Sequence, residues 1–121
     1  LMAMNPTIPQ FEEAAAKARA LNMGVISMKV MSRGILTKYY DPSSLLHYAM
    51  KKSDVAIVGC STESDVEDNV IAAAGYRDGS KLGFRITPQM IDESTYFLKG
   101  HKKCKWPSTY QPNWPEIQYD G

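Results

Sequence analysis

The amino-acid sequence predicts an α/β fold with a parallel sheet flanked by helices. In residues 1–75, short apolar runs alternate with segments of helical spacing, in the order β-α-β-α-β-α. The run at 25–31 is rich in β-branched residues and the run at 54–59 is nearly all apolar, and apolar residues on both faces are typical of strands in a parallel sheet covered by helices. Three such units leave open sheet edges. The chain is therefore either a small open α/β domain or part of a closed barrel, which needs about 250 residues.

The first unit joins the apolar run 1–4 to a helix over 11–24. Asn5-Pro6 ends the run, because the residue before a proline is driven out of the helical region. Apolar side chains then recur at helical spacing, with acids in the first turn. Gly24 stands where a helix-terminating glycine is expected.

The second unit joins a strand over 25–31 to a helix that begins at Asp41-Pro42. An aspartate cap followed by proline at the first helical position is a strong start signal. The helix is predicted to end near Lys51-Lys52, whose charge suits a helix C-terminus. Its predicted buried positions are Leu45, Leu46, Ala49 and Met50.

The third unit joins a strand over 54–59 to a helix over 63–74, followed by Gly75. The apolar positions Val66, Val70, Ile71 and Ala74 share one face of this helix. Ser61, Thr62 or Ser64 can cap the helix, and Ser64-x-x-Glu67 matches the capping-box pattern.

From residue 76 onward the pattern changes. Residues 76–99 are predicted to form a loop and a C-terminal helix over 88–99, which Thr87-Pro88 opens. Residues 100–121 are rich in proline and aromatic side chains. This composition predicts an extended tail that lies on another surface, because it lacks the periodicity of a core element.

Composition excludes several functional classes. The chain of 121 residues is 44% apolar and 22% charged, with a formal net charge of +1, as in ordinary globular domains. No run approaches the ~18 apolar residues that a membrane-spanning helix needs. The basic cluster 99–106 contains a tryptophan, yet the low net charge argues against nucleic acid. We expect a cytoplasmic chain, and we expect residues upstream of Leu1 because the sequence does not open with methionine.

Cysteine and histidine are too sparse to predict a metal site. Cys60 and Cys104 form no CxxC pair, and His101 with Cys104 offers two ligands where structural zinc takes four. His47 and the Tyr39-Tyr40 pair could act as acids or bases, but His47 is expected outside the sheet. No residue of this chain is predicted to be catalytic.

Two stretches resemble a known family. GVISMKVMSRGIL (24–36) and DVAIVGCSTESDVEDNV (54–70) are similar to the seventh and eighth βα units of the aldo-keto reductases. LMAMNP with the alanine-rich helix after it resembles the sixth unit. The resemblance implies the C-terminal portion of a (β/α)8 TIM barrel: three βα units, a C-terminal helix and an extended tail.

The resemblance also implies an activity. Aldo-keto reductases transfer a hydride between a nicotinamide cofactor and a small carbonyl or alcohol substrate. Their catalytic tyrosine, lysine, aspartate and histidine lie in earlier barrel units, which have no counterpart here. The chain is thus expected to be the cofactor-binding half, inactive alone. It would pair with a missing N-terminal half or with another chain.

The candidate cofactor-binding residues come from the two motifs. They are Lys29, Gly34, Gly59, Cys60, Ser61, Asp65, Asp68 and Asn69. Strand alternation predicts that Ser27 and Lys29 face the barrel interior while 26, 28 and 30 pack under helices. A lysine there must find an anion, which is either a cofactor phosphate or a protein carboxylate, or reach the rim. Gly34 would let the backbone approach the pyrophosphate.

The turn at 59–62 has two interpretations. A glycine and hydroxyl residues before a helix can direct backbone amides at a phosphate, but the same residues can simply cap the helix. By the resemblance, this turn holds the adenosine half of the cofactor, with Asn69 at adenine and Asp68 beside it. The family's cations for the NADPH 2′-phosphate would stand at Gly59 and Asp65. Their absence favours NAD over NADP.

A second class of function fits the length and the tail. The chain could be a non-catalytic binding or scaffold module that pairs with another chain through its open sheet edges.

Overall fold

In the computed structural model, which describes residues 1–77 and 85–101, three short parallel strands alternate with helices. The strands are β1 (Met2–Ala3), β2 (Ile26–Met28) and β3 (Val55–Ala56), and they lie side by side in chain order. Met2 pairs with Ser27, and Ile26 pairs with Val55. The predicted α/β class and parallel sheet are confirmed. The predicted tail beyond residue 101, with Cys104 and Trp106, lies outside the described residues.

Helices follow each strand. Within the described ranges they are α1 (Gln10–Ala20), α2 (Pro42–Lys52), α3 (Glu63–Arg77) and α4 (Pro88–Gly100), together with a 3-10 helix (Ile35–Lys38) after β2. The starts of α2 and α4 confirm the sequence prediction. The Asp41 carboxylate accepts a hydrogen bond from the Ser43 N–H, and the Thr87 hydroxyl accepts one from the Met90 N–H.

Two predicted helix ends are wrong. Helix α1 stops before Gly24, because Asn22 takes the left-handed conformation, with a φ of 60°. The Asn22 N–H then bonds the Arg19 carbonyl and the Met23 N–H bonds the Ala18 carbonyl, which is the Schellman arrangement. Helix α3 continues past 74 and contains Gly75. Its last turn is held by Tyr76, whose ring lies 5.4 Å from that of His47.

The strands are shorter than the apolar runs. Strand β2 ends at Met28 because Lys29 has a φ of 55°, which takes the backbone out of the extended region. Strand β3 is an edge strand among the described residues, and after Ala56 one further backbone bond links Ile57 N–H to the Ser27 carbonyl. Hydrogen-bonded pairing therefore covers only the middle of each apolar run.

The predicted facing of β2 is also wrong. Ser27 is fully buried and its hydroxyl contacts that of Ser53, the residue that ends α2, so Ser27 points toward the helices. Ile26 and its partner Val55 lie on the opposite face, where they are 39% and 52% exposed. Because no described helix covers that face, apolar side chains on it meet solvent.

The core lies between the helix-covered face of the sheet and helices α1, α2 and α4. Its fully enclosed apolar residues include Met4, Ile8, Leu36 and Leu45. Helix α3 does not share this core, and it buries no residue. The predicted apolar face of α3 is largely exposed: Val66, Val70 and Ile71 are 50%, 63% and 69% exposed.

Candidate functional site

A groove of ≈ 640 Å³ opens at the carboxyl ends of β2 and β3. It lies between the loop that follows β2 and the turn that leads into α3. All of the sequence-predicted residues line it, namely Lys29, Gly34, Gly59, Cys60, Ser61, Asp65, Asp68 and Asn69. In open parallel sheets, ligands bind outside the carboxyl ends of the strands. The fold thus brings two sequence-distant motifs to one ligand-sized space.

Lys29 is held in the groove by its own backbone. Its carbonyl accepts a hydrogen bond of 2.9 Å from the side-chain amide of Asn5, and Asn5 is fully buried at the end of β1. The other side of the Asn5 amide accepts from the Thr7 N–H and hydroxyl. Among the described residues, no carboxylate lies within ion-pair distance of the Lys29 ammonium. The protein carboxylate considered as its partner is therefore not found there.

The loop after Lys29 is left-handed at three successive residues. Ser32, Arg33 and Gly34 have φ values of 48°, 60° and 82°. Only glycine adopts this region freely, so Gly34 is needed for its conformation and not only for its small size. The Gly34 carbonyl accepts a hydrogen bond of 2.6 Å from the Thr37 hydroxyl. Arg33 also lines the groove and adds a second cation beside Lys29.

Gly59 and Cys60 form the opposite wall. A side chain added at Gly59 would meet open space, so this glycine leaves room in the groove without being required by the backbone. The Cys60 thiol is exposed and accepts a hydrogen bond of 3.3 Å from the half-buried Asn69 amide. Among the described residues, the Asn69 side-chain oxygen accepts no hydrogen bond, so it is available to a ligand.

Asp65 closes the turn into α3. One carboxylate oxygen accepts hydrogen bonds from the Ser61 and Thr62 N–H groups, at 2.9 and 3.0 Å. The Thr62 hydroxyl in return accepts from the Asp65 N–H at 3.1 Å. The capping box is therefore Thr62-x-x-Asp65, and the predicted Ser64-x-x-Glu67 box is wrong. These bonds, the Ser61 N–H first, hold the pKa of Asp65 below its ordinary value.

The groove carries charges of both signs. Lys29 and Arg33 stand on the β2 side, whereas Asp65 and Asp68 stand on α3. A ligand that matches this pattern is anionic toward the β2 loop and offers hydrogen-bond donors, such as hydroxyls, toward α3. The amides that a phosphate would use at the start of α3 are already bonded to Asp65.

Several polar groups considered as acids or bases have structural contacts away from the groove. His47 is buried, and its Nε2–H donates to the Ala72 carbonyl at 2.7 Å, which ties α2 to α3. The buried Tyr40 hydroxyl bonds that of Ser94 on α4 at 2.7 Å. Burial raises the pKa of Tyr40. The Tyr39 ring makes a tilted contact with that of Phe97 on α4, with the ring centroids 5.6 Å apart.

Asn5 and Arg33 are not among the residues that the sequence predicts for the site. The signals were present, since Asn5 lies two residues after the carboxyl end of β1 and Arg33 directly precedes the loop glycine. Methionines at positions 28 and 31 also line the groove, as does Ile57, and these were assigned only to strands.

Metal and membrane features give no further lead. Within residues 1–77 and 85–101, no group of three or more His, Cys, Asp or Glu side chains is arranged to hold a metal ion. None of the helices in these ranges has the length and apolar character needed to cross a membrane.

Comparison with known proteins assigns no family. No protein-family model, curated protein sequence or solved structure matches the chain.

Proposed function

We propose that this chain supplies the cofactor-binding part of an aldo-keto reductase-like, NAD(P)-dependent oxidoreductase, equivalent to units six to eight of a (β/α)8 barrel. The observation that carries the proposal is the groove. Residues from two stretches that resemble separate barrel units line one space at the carboxyl ends of neighbouring parallel strands. This is the end of the sheet where a barrel places its ligand.

The groove residues fit the adenosine half of a nicotinamide dinucleotide. Asn69 offers a side-chain oxygen to the amino group of adenine, and the exposed Asp68 can accept from a ribose hydroxyl. Lys29 and Arg33 offer positive charge to the pyrophosphate, and Gly59 leaves open space for its approach. The acids on α3 favour NAD over NADP.

The uncovered apolar face of the sheet supports the proposal that the chain is part of a barrel. Ile26, Val55 and Ile57 are 39%, 52% and 54% exposed on short strands that also have open edges. Exposed apolar strands are liabilities unless other elements cover them. In a closed barrel, further strands would pair with these edges and the apolar face would line the packed interior.

The bound nicotinamide would supply the hydride, and this chain would hold and orient its adenosine end. Among the described residues that line the groove there is no tyrosine or histidine to donate a proton to a carbonyl oxygen. The chain would therefore bind dinucleotide and leave a small carbonyl or alcohol substrate unchanged, until barrel units with the proton donor are supplied.

Titration of the chain with NADH, followed by cofactor fluorescence and calorimetry, tests the proposal. We expect binding that Lys29→Ala weakens about tenfold, because a charge-assisted contact to phosphate is lost. Asn69→Ala should weaken binding several-fold. The matched control is Lys17→Ala, since Lys17 is an exposed α1 lysine that pairs only with Glu13 in the described residues.

Two results would contradict the proposal. Absence of binding to NADH, NADPH and AMP would remove the cofactor site. Turnover of NADH with a panel of aldehydes by this chain alone would show that it contains its own proton donor.

A non-catalytic pairing module is the second candidate, because a second groove of ≈ 480 Å³ lies between α2, β3 and α3. Its lining is mainly apolar and includes Met50, Val58, Val66 and Val70. This surface would accept an apolar element of another chain. A monomeric mass in sedimentation equilibrium, with the fold retained, would argue against obligate pairing of the chain with itself.

A further inference from the structure

We propose that Asn5 is a positioning residue for the groove: by holding the Lys29 carbonyl away from β3, it keeps the groove open and the Lys29 side chain in it. Asn5 is fully buried and is not among the residues that line the groove. The inference rests on the proposed function only for the identity of the ligand, since the hydrogen bonds that carry it lie within the chain.

The hydrogen bonds that β2 accepts from β3 advance in steps of two residues, as in any parallel ladder. The Val25 and Ser27 carbonyls both accept from this side, the second of them from the Ile57 N–H at 2.9 Å. The next step would join the Lys29 carbonyl to the Gly59 N–H, but the Gly59 N–H has no hydrogen bond among the described residues. Because Lys29 and Gly59 line opposite walls, this bond would draw the walls together.

The Lys29 carbonyl has two other donors. The Asn5 Nδ2–H donates to it at 2.9 Å, and the Ser32 N–H donates at 3.1 Å from the turn that follows β2. The Asn5 amide cannot turn over, because its Oδ1 accepts from the Thr7 N–H and hydroxyl at 3.0 and 2.6 Å. The buried side chain therefore presents its donor to the Lys29 carbonyl in a fixed direction.

The backbone conformation at Lys29 also decides where its side chain lies. Residues two apart on a strand share a face, so an extended Lys29 would follow the fully buried Ser27 toward the helices. A φ of 55° breaks this alternation, and Lys29 lines the groove instead. Left-handed backbone is unfavourable for a residue with a Cβ, so it persists only where other contacts hold it. The hydrogen bond from Asn5 is such a contact.

Amide hydrogen exchange, followed by NMR, tests the proposal without any ligand. In the wild type, the Gly59 N–H should exchange faster than the Ile57 N–H, which is bonded to the Ser27 carbonyl. In Asn5→Ala, the Lys29 carbonyl loses a donor and the ladder advances by one bond, so the Gly59 N–H should exchange about tenfold more slowly. A merely structural role for Asn5 predicts the opposite, because loss of stability accelerates exchange.

The affinity for NADH links this change to the groove. Asn5→Ala should weaken NADH binding about tenfold, because the groove narrows and the Lys29 ammonium withdraws from it. Adding Lys29→Ala to Asn5→Ala should then weaken binding little further. The matched control is Thr7→Val, which removes a hydrogen bond of the same Asn5 side chain and leaves the one to Lys29 in place. It should change Gly59 exchange and NADH affinity by about twofold at most.

Asn5→Asp is the second variant, for the case that Asn5→Ala does not fold. It keeps the size of the side chain and the acceptor for Thr7, but a carboxylate has no donor for the Lys29 carbonyl. The same slower exchange at Gly59 is expected.

Four results would contradict these expectations. A Gly59 N–H as protected in the wild type as that of Ile57 would show that the ladder already reaches Gly59, and would overturn the proposal without any variant. Faster or unchanged Gly59 exchange in the Asn5 variants would make Asn5 a structural residue only. Equal effects of Asn5→Ala and Thr7→Val would overturn the role of the bond to Lys29. A wild-type chain that binds no NADH would remove the proposed function, while Gly59 exchange would still decide the role of Asn5.

Discussion

Helices α2 and α3 are neighbours along the chain, yet they relate to the core in opposite ways. Six of the eleven residues of α2 are buried, whereas α3 buries none of its fifteen. Both have apolar residues at helical spacing. The difference is in what lies around them, because α2 packs between the sheet, α1 and α3, while the apolar face of α3 borders an open groove and is largely exposed. Periodicity identifies an apolar face but not what covers it.

Replacing an apolar side chain by alanine should give the largest difference in stability between a variant of α2 and a variant of α3. Leu45 on α2 is fully buried, so Leu45→Ala should lower the free energy of unfolding by about 2–5 kcal/mol. Val70 on α3 is 63% exposed, so Val70→Ala should change it by about 0.5 kcal/mol or less. Urea denaturation at equal protein concentration measures both.

A large cost for Val70→Ala would break this comparison. It would show that the apolar face of α3 is covered in solution by an element outside the described contacts. A dependence of that cost on protein concentration would identify the cover as a second copy of the chain.

The hydrogen bond that joins α2 to α3 should make a contribution of intermediate size. The His47 side chain of α2 donates to the Ala72 carbonyl of α3 and contacts the Tyr76 ring. His47→Phe keeps a ring and removes the hydrogen bond, so amide exchange in α3 should accelerate by about threefold to tenfold while α2 keeps its protection. Tyr40→Phe is the control, since it removes a hydrogen bond to α4 instead. Equal acceleration in α2 would show that the helices open as one unit.

The contacts of Asp54, in the junction between α2 and β3, should make the smallest contribution to stability, and this contribution depends on pH. The Asp54 carboxylate accepts from the Val25 N–H and from Arg19, and these bonds, the Val25 N–H first, hold its pKa below the ordinary 3.8. Because the folded pKa is depressed, the contribution is complete above about pH 4 and disappears as the pH falls through the folded pKa. In Asp54→Asn, the free energy of unfolding should therefore decrease less steeply than in the wild type as the pH is lowered.

Urea titrations at a series of pH values between about 5 and 2 measure that profile. The control is Asp92→Asn, because Asp92 is an exposed α4 carboxylate that accepts no hydrogen bond among the described residues. If the free energy of unfolding of Asp54→Asn depends on pH as steeply as that of the wild type, the contacts of this carboxylate do not stabilise the folded state.

The fold was predictable where the signal is local. Asp41-Pro42 and Thr87-Pro88 start helices because a capping oxygen and a proline act within one turn. The end of α1 was missed because Asn22 can enter the left-handed region that Gly24 was expected to supply. The exposure of the apolar face of α3 has a non-local reason, since the elements that would cover Val66 and Val70 are not specified by the helix itself.

The site was predictable as a set of residues but not as a set of contacts. Parallel strands place their carboxyl ends together, so Lys29 and Gly59 had to lie near one another. The role of Asp65 could not be read from spacing, because Thr62-x-x-Asp65 and Ser64-x-x-Glu67 both place an acid three residues after a capping hydroxyl. Only the backbone path decides which carboxylate reaches the amides.

The Asn5 amide has a practical consequence as a spectroscopic reporter. Its nitrogen donates to the carbonyl of Lys29, and it is shielded from solvent. A ligand that moves the Lys29 loop changes this hydrogen bond without touching Asn5. In a ¹⁵N-labelled chain, the Asn5 side-chain resonances therefore give a signal for groove occupancy that is free of direct ligand contact.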